Sequence, residues 1–321
     1  MLDISAVAAG LATIEGLRLE RDAPLSRYTR FGLGGPAALL IDASTESSLL
    51  CALARLRAKA TPFVVIGGGS NLVVADNGYS GVIVRYTAKH ISLEGSVITV
   101  ESGADLQALV DFSIDNGLAG IHTMTGIPGW VGGAVYGNAG AYGRSTHQSI
   151  QSVRFLDGAT IREFSNAECG FRYRHSDFKD NKQWIILSSA WSLAEGDAEA
   201  LRNEANGILS VRNAKYPPEM KCAGSIFKNL LLAELPPSAQ AEVDAKVVRE
   251  GKVPSAYFLE RVDAKGMRNG GIHVADYHAN LIYNTGTGTA TQVQEIIDEL
   301  KARVRARFGF DVEEEVQFVG F

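Results

Sequence analysis

Apolar residues recur at helical spacing in several stretches of the chain. Between positions 45 and 60, Leu49, Leu50, Leu53 and Leu56 share one helical face, and Thr61-Pro62 ends the run. Leu106, Leu109 and Val110 predict a second helix, with Asp105 placed to cap it and Asn116-Gly117 to close it. The clearest pattern covers 292–308, where Val293, Ile296, Ile297, Leu300 and Val304 form a stripe, Thr291 and Gln294 fit a capping box and Gly309 supplies a stop. Helices are also expected from Ala198 to about Val211 and near 257–262. Short apolar or alternating runs predict strands at 63–66, 81–85, 91–93, 97–101, 150–156, 185–193, 271–274, 280–283 and 310–318. In the last of these, Phe310, Val312, Val316 and Phe318 alternate with Asp311, Glu313, Glu315 and Gln317, so Glu315 falls on a polar face. Strands and helices are mixed too unevenly for a doubly wound sheet. The fold class is α+β in at least two parts, with a change of composition at Tyr216-Pro217-Pro218.

Composition narrows the class. With 46% hydrophobic and 21% charged residues, the chain reads as an ordinary globular protein. Its 36 acidic against 31 basic residues argue against nucleic acid as a partner. No stretch approaches the roughly 20 apolar residues needed to span a bilayer, so no membrane insertion is expected. Met1-Leu2-Asp3-Ile4-Ser5 lacks the basic start of a secretory signal, and Cys51, Cys169 and Cys222 are widely spaced without a CxxC. The expectation is reduced thiols and a cytoplasmic location. The six histidines show no ligand spacing, so no metal is expected.

Glycine changes the picture. There are 34 glycines in 321 residues, above an average usage of roughly 7%. Gly67-Gly68-Gly69-Ser70-Asn71-Leu72 follows the strand at 63–66. Such a turn can form a nest of N–H groups for phosphate oxygens, with Ser70 and Asn71 as added donors; a tight hairpin or bulge would want the same glycines. Neither a Rossmann fingerprint nor a Walker A sequence is present. The second dense stretch runs from Gly126 to Gly143 and holds seven glycines in 18 residues, interleaved with Ile127, Trp130 and Val131. Apolar side chains between glycines suit a wall against a flat ligand with polar edges. Two such stretches point to a large cofactor with a diphosphate and a ring system, flavin before nicotinamide.

These stretches carry a resemblance. Thr29-Arg30-Phe31-Gly32-Leu33-Gly34-Gly35-Pro36-Ala37, Ile66–Leu72, Gly126–Gly143, Tyr173-Arg174-His175-Ser176, Gly224-Ser225-Ile226-Phe227-Lys228-Asn229, His278-Ala279-Asn280 and Glu313-Glu314-Glu315-Val316 occur in the order of the landmarks of the UDP-N-acetylenolpyruvoylglucosamine reductases. The chain resembles that family from about Ala23 to its end. The resemblance implies an FAD-binding domain of the vanillyl-alcohol-oxidase (PCMH) type and a smaller α+β substrate-binding domain. The expected boundaries are an N-terminal extension at 1–22, the FAD-binding domain at 23–200, the substrate-binding domain at 201–309, and a C-terminal strand at 310–321 returning to the flavin site.

It also implies chemistry: NADPH reduces FAD, and the reduced flavin reduces an enolpyruvyl ether on a nucleotide sugar, a step of peptidoglycan precursor synthesis. Ser225 matches the proton donor, and Arg174 and Glu315 match the pair that stabilises and orients the reacting group. Arg30, Gly67, Gly68, Gly69, Ser70, Asn71, Leu72, Gly126, Ile127, Pro128, Gly129, Gly132, Gly133 and Asn138 match the cofactor loops, and Lys215 and Asn229 match substrate-holding positions. Ser70 stands where related oxidases offer a nucleophile to flavin, so FAD is expected to be bound without a covalent link. The short span from Arg174 to Ser225 resembles the subclass lacking a tyrosine-bearing loop. Trp130 is bulkier than the residue usual at its place, Leu230 replaces a common proline, and Gln317 stands where many members have arginine. Two other readings share part of this pattern: a flavin oxidoreductase of the same fold acting on a small alcohol or hydroxy acid, and a non-catalytic nucleotide-sugar-binding protein. Ser225, Asn229 and His278-Ala279-Asn280 separate the first from the reductases, and retention of Arg174, Ser225 and Glu315 argues against the second.

Overall fold

The computed structural model describes residues 3–321. Of the N-terminal segment, Met1 and Leu2 lie outside the described residues; Asp3 caps a helix at Ile4–Leu11 by accepting the Ala6 N–H. The chain divides into two compact units. The first comprises residues 1–23, 37–68 and 80–218, and the second comprises 24–36, 69–79 and 219–321. The division is therefore discontinuous in sequence, unlike the contiguous boundaries expected from it. The helix Ala198–Lys215 goes with the first unit, the C-terminal residues 310–321 go with the second, and the first glycine turn is cut between Gly68 and Gly69.

The first unit holds a five-stranded antiparallel sheet in the order Thr160–Ser165, Ile150–Asp157, Ile185–Ser192, Val97–Glu101, Ile91–Glu94. A second sheet joins Leu17–Pro24, Pro36–Ala43, Tyr79–Tyr86 and Phe63–Ile66, the last two in parallel. The predicted stripe Leu49, Leu53 and Leu56 on the helix Glu46–Ala58 is fully buried against this sheet, while Leu50 lies at the margin. Leu106, Leu109 and Val110 of the helix Leu106–Asp115 fill the core of the other sheet with Trp191 and Phe155. Asp105 does not cap that helix through its side chain; its backbone bridges Trp130, and the Leu106 N–H reaches the Gly129 carbonyl.

The second unit centres on a four-stranded sheet in the order Lys221–Ser225, His278–Asn284, Ile272–Ala275, Arg268–Asn269. The helix Ala290–Phe308 packs Val293, Ile296, Ile297, Leu300 and Val304 into its core and stops at Gly309, whose φ is +76°. Its capping box uses Thr289 and Gln292, not the expected Thr291 and Gln294. Thr291 instead serves Asp76, whose carboxylate accepts the Ala290 and Thr291 N–H groups and the Thr291 hydroxyl at 2.7–2.9 Å. The expected strand at 310–318 is regular only at Gln317–Val319, which pairs in parallel with Leu72–Val74.

Asp76 gives a pH-dependent test. Burial pushes its carboxyl up, but the bonds from Thr291 and Ala290 outweigh burial and hold it below its ordinary value. A lowered folded value means that the stabilisation is complete above the ordinary carboxylate range near 4 and fades as pH falls through the folded value. Asp76→Ala should therefore cost about 1 kcal/mol at neutral pH, in line with a lost N-terminal helix cap. The gap between variant and parent in urea midpoints should close below about pH 4.

Candidate active site

In the first unit the stretch 126–143 is not the open loop that its glycines suggest. Residues Val131–Tyr136 form a short helix, and the entry to it is tied down by backbone bonds from Val131 to Ala104 and from Gly132 to Ser102. The Gly126 N–H is held by Gln107 at 2.7 Å. Ile127 packs against the core with Phe171 and Trp184, and Pro128 is exposed. Asn138 is buried, with φ +43°. Its amide donates to the Arg172 carbonyl at 2.8 Å and accepts the His147 N–H at 3.1 Å. These bonds brace the neighbouring hairpin.

That hairpin carries Arg174. Arg172 and His175 exchange both backbone hydrogen bonds, leaving Tyr173 and Arg174 as a two-residue turn. Arg174 has φ +54°, a left-handed conformation costing about 1 kcal/mol in a side-chain-bearing residue. Its guanidinium donates to the Gly140 carbonyl at 2.8 Å and lies 5.3 Å from the Tyr173 ring centroid. Around it, Asp180 pairs with His175 at 2.9 Å and with Arg172 at 3.2 Å. The strain is thus sustained by contacts on both sides of the turn. Lys215 ends the helix Ala198–Lys215 with its ammonium 5.1 Å from the Tyr216 ring centroid.

The second unit brings Ser225 and Glu315 together. The Glu315 N–H donates to the carbonyl of Ile226 at 2.7 Å, and the Lys228 N–H to the carbonyl of Glu313 at 2.9 Å. Alternation alone had placed Glu315 among solvated acids; these backbone bonds set it beside the residue that follows Ser225. Asn71 joins the same cluster, its amide donating to the Glu315 carbonyl at 2.9 Å. At least one Asn71 donor therefore holds the acidic segment and not a ligand. Arg30 is placed by its N–H on the Gly69 carbonyl at 3.1 Å. Ser70 and Leu72 are half-buried, while Asn229 is exposed.

Ser225 stands at the end of a β-bulge. The strand Lys221–Ser225 slips register against His278–Asn284 between Cys222 and Ser225, with Gly224 at φ +74° in between. A Cβ at Gly224 would meet no atom within 4 Å, so backbone conformation, not space, demands glycine there. Gly224→Ala should cost about 1 kcal/mol of stability. It should also lower kcat more than it raises KM, because the bulge aims Ser225; unchanged steady-state kinetics would refute that function for the bulge.

Comparison with known proteins decides the family. Residues 37–161 match the family described as FAD binding domain, and residues 216–319 match UDP-N-acetylenolpyruvoylglucosamine reductase, C-terminal domain. A UDP-N-acetylenolpyruvoylglucosamine reductase of Solibacter usitatus is 54% identical over 97% of this chain and 99% of its own length. The chain belongs to the UDP-N-acetylenolpyruvoylglucosamine reductase (MurB) family. A MurB relative from Rubrobacter xylanophilus is 35% identical over 93% of this chain and 94% of its own. The crystal structure of MurB from Thermus caldophilus superposes with a TM-score of 0.75 at 28% identity, covering 94% of this chain and 99% of that one. The expected architecture, a PCMH-type FAD-binding domain joined to a MurB C-terminal domain, is thereby established.

The glycines of this MurB chain fall into two kinds when tested for the fit of FAD. A Cβ at Gly69, Gly132 or Gly140 would strike protein atoms at 1.8, 2.8 and 2.3 Å, so these serve internal packing. A Cβ at Gly133 would meet nothing within 4 Å, and one at Gly67 only Trp130 at 4.0 Å. These two leave room for a ligand to approach the backbone, as a dinucleotide requires. The residues fit the cofactor. Sequence reasoning missed Asn280, which had a place in the pattern but no role. Its side chain accepts the Phe227 N–H and donates to the Phe227 carbonyl, both at 2.8 Å, and donates to Ser255 at 2.7 Å. An asparagine between Ala279 and Leu281 on a buried strand was the available signal.

Proposed function

We infer that this chain is an FAD-dependent, NADPH-using enzyme that reduces UDP-N-acetylenolpyruvoylglucosamine to UDP-N-acetylmuramate in peptidoglycan precursor synthesis. The observation that carries the reading is the backbone bond that ties Glu315 to Ile226, the residue after Ser225, within a chain matched to MurB over nearly its whole length. The chemistry supplied by bound FAD is transfer of a hydride equivalent from NADPH to the enolpyruvyl double bond.

The chain's own residues supply binding and the proton. Gly67 and Gly133 leave the approach for the dinucleotide open, and Arg30 is fixed through its N–H to the Gly69 carbonyl. Ser225 donates the proton that completes reduction at the carbon next to the carboxylate. A neutral hydroxyl serves because a carbanion-like centre is basic enough to take its proton. Arg174 supplies a permanent cation for the charge that builds on that carboxylate, and its strained turn holds it ready before substrate arrives. Glu315 orients the reacting group. Lys215 and Asn229 hold the nucleotide sugar, Lys215 through charge on its diphosphate. FAD is held without a covalent link, a reading supported by Ser70 in place of a histidine or cysteine. The partner is this small nucleotide sugar, not nucleic acid. Three free cysteines suit a reducing cytoplasm.

The test is anaerobic: NADPH should bleach the bound flavin, and the enolpyruvyl nucleotide sugar should restore its colour with formation of the lactyl ether. Recovery of colour with a small ketone or oxidised acid, and none with the nucleotide sugar, would favour an oxidoreductase of the same fold with another substrate.

A further inference from the structure

Trp130 has no part in the chemistry above, yet it is built into the first unit with unusual care. Its backbone bridges Asp105 and accepts the Ala134 N–H, and the two residues after it are held by the Val131 N–H on Ala104 and the Gly132 N–H on Ser102. Its indole lies on the glycine turn. A Cβ at Gly68 would sit 2.9 Å from the indole Cδ1, 3.1 Å from Nε1 and 3.2 Å from Cγ, so the ring is in contact with the Gly68 backbone and leaves no room for a side chain. The Arg85 guanidinium is 4.8 Å from the ring centroid. Arg85 is itself held, its Nε 3.0 Å from Asp42, and both side chains are largely buried, 16% and 12% exposed. Arg18 takes the other oxygen of Asp42 at 2.7 Å. A chain of support thus runs from Asp42 through Arg85 and the indole to the Gly67-Gly68 turn.

A triglycine turn has more freedom to lose than any other sequence, and a ligand that needs it in one conformation bears that cost on binding. We propose that Trp130 is a cofactor-retaining residue: clamped by Arg85, its indole holds Gly67-Gly68 in the conformation that receives the FAD diphosphate, before FAD is bound. This rests on FAD as the cofactor and adds a residue type that the glycine turn alone does not require. Glycine at 68 and tryptophan at 130 become one device, since a side chain at 68 would expel the ring.

The experiment uses the apoprotein, stripped of flavin, and its reconstitution. Trp130→Ala should raise the FAD dissociation constant about tenfold, the scale of one partly desolvated cation–π contact and its packing. Trp130→Phe should fall in between, and Arg85→Gln should weaken binding several-fold. Amide hydrogen exchange at Gly67–Gly69, measured without FAD, should be faster in Trp130→Ala and Arg85→Gln than in the parent. An unchanged or tighter FAD constant in Trp130→Ala overturns the proposal, as does weaker binding with unchanged exchange, which would mean that the ring acts only by touching the cofactor. If Trp130→Ala fails to fold, Arg85→Gln decides by the same two readings. A parent protein that cannot bind FAD at all would sink the cofactor assignment itself, a separate outcome visible before any variant is made.

Discussion

Ser225→Ala should leave the flavin fully reducible by NADPH while product formation falls roughly 10²–10⁴-fold, the range for loss of a positioned proton donor. The two half-reactions separate because only the second needs a proton on carbon. The fold should tolerate the change: Ser225 ends a strand, its backbone pairs with Leu281, and the bulge at Gly224 lies in the main chain. Stability should therefore stay within about 0.5 kcal/mol of the parent. Stopped-flow absorbance of the flavin resolves both steps. If bleaching by NADPH slows as much as recolouring by substrate, Ser225 acts in positioning the flavin or dinucleotide, and the proton comes from elsewhere.

What could be read beforehand divides along a physical line. The stripe of Val293, Ile296, Ile297, Leu300 and Val304 is a local pattern, and the helix Ala290–Phe308 buries it as written. Its cap is ambiguous by two positions, because Thr289-Ala290-Thr291-Gln292-Val293-Gln294 contains two overlapping capping boxes. Asp76, more than 200 positions away in sequence, decides between them by claiming Thr291. No local pattern holds that information. The strand at Leu17–Pro24 is hard to read for another reason: its alternation lasts only from Leu17 to Glu20 before Arg21 and Asp22 interrupt it, and it is an edge strand beside Pro36–Ala43.

The candidate site follows the same division. Clustered glycines are visible in a sequence, so Gly67 and Gly133 could be picked out; which glycines face open space and which pack on Tyr28 or Ser102 is a tertiary fact. The helix Val131–Tyr136 was hidden because Gly132 and Gly133 are poor helix formers, and backbone bonds to Ser102 and Ala104 override that preference. Glu315 sat among look-alike acids until the bond to Ile226 singled it out.

Asn280→Ala should be the most destabilising polar substitution in the second unit. Asn280 is 3% exposed and makes three side-chain hydrogen bonds: from the Phe227 N–H, to the Phe227 carbonyl and to the Ser255 hydroxyl. Truncation removes all three and leaves the buried N–H of Phe227 without its acceptor. Ser255 still reaches the Phe227 carbonyl at 3.3 Å, so the acceptor is partly kept. One orphaned donor and the lost network together cost about 3 kcal/mol. For a unit of this size that lowers Tm by roughly 5–10 °C. Activity should fall too, and by another route than in Ser225→Ala. Phe227 lies between Ser225 and Lys228, and its isolated bridge to Glu314 holds the segment that carries Glu315 against the segment that follows Ser225. Loosening it should lower kcat without changing how fast NADPH bleaches the flavin. Asn280→Asp sharpens the test: it keeps the acceptor for the Phe227 N–H but loses both donors and sets an anion against the Phe227 carbonyl, so it should be no more stable than the alanine variant. A melting curve for Asn280→Ala within 1 °C of the parent would show that the Phe227 segment holds its place without this clamp.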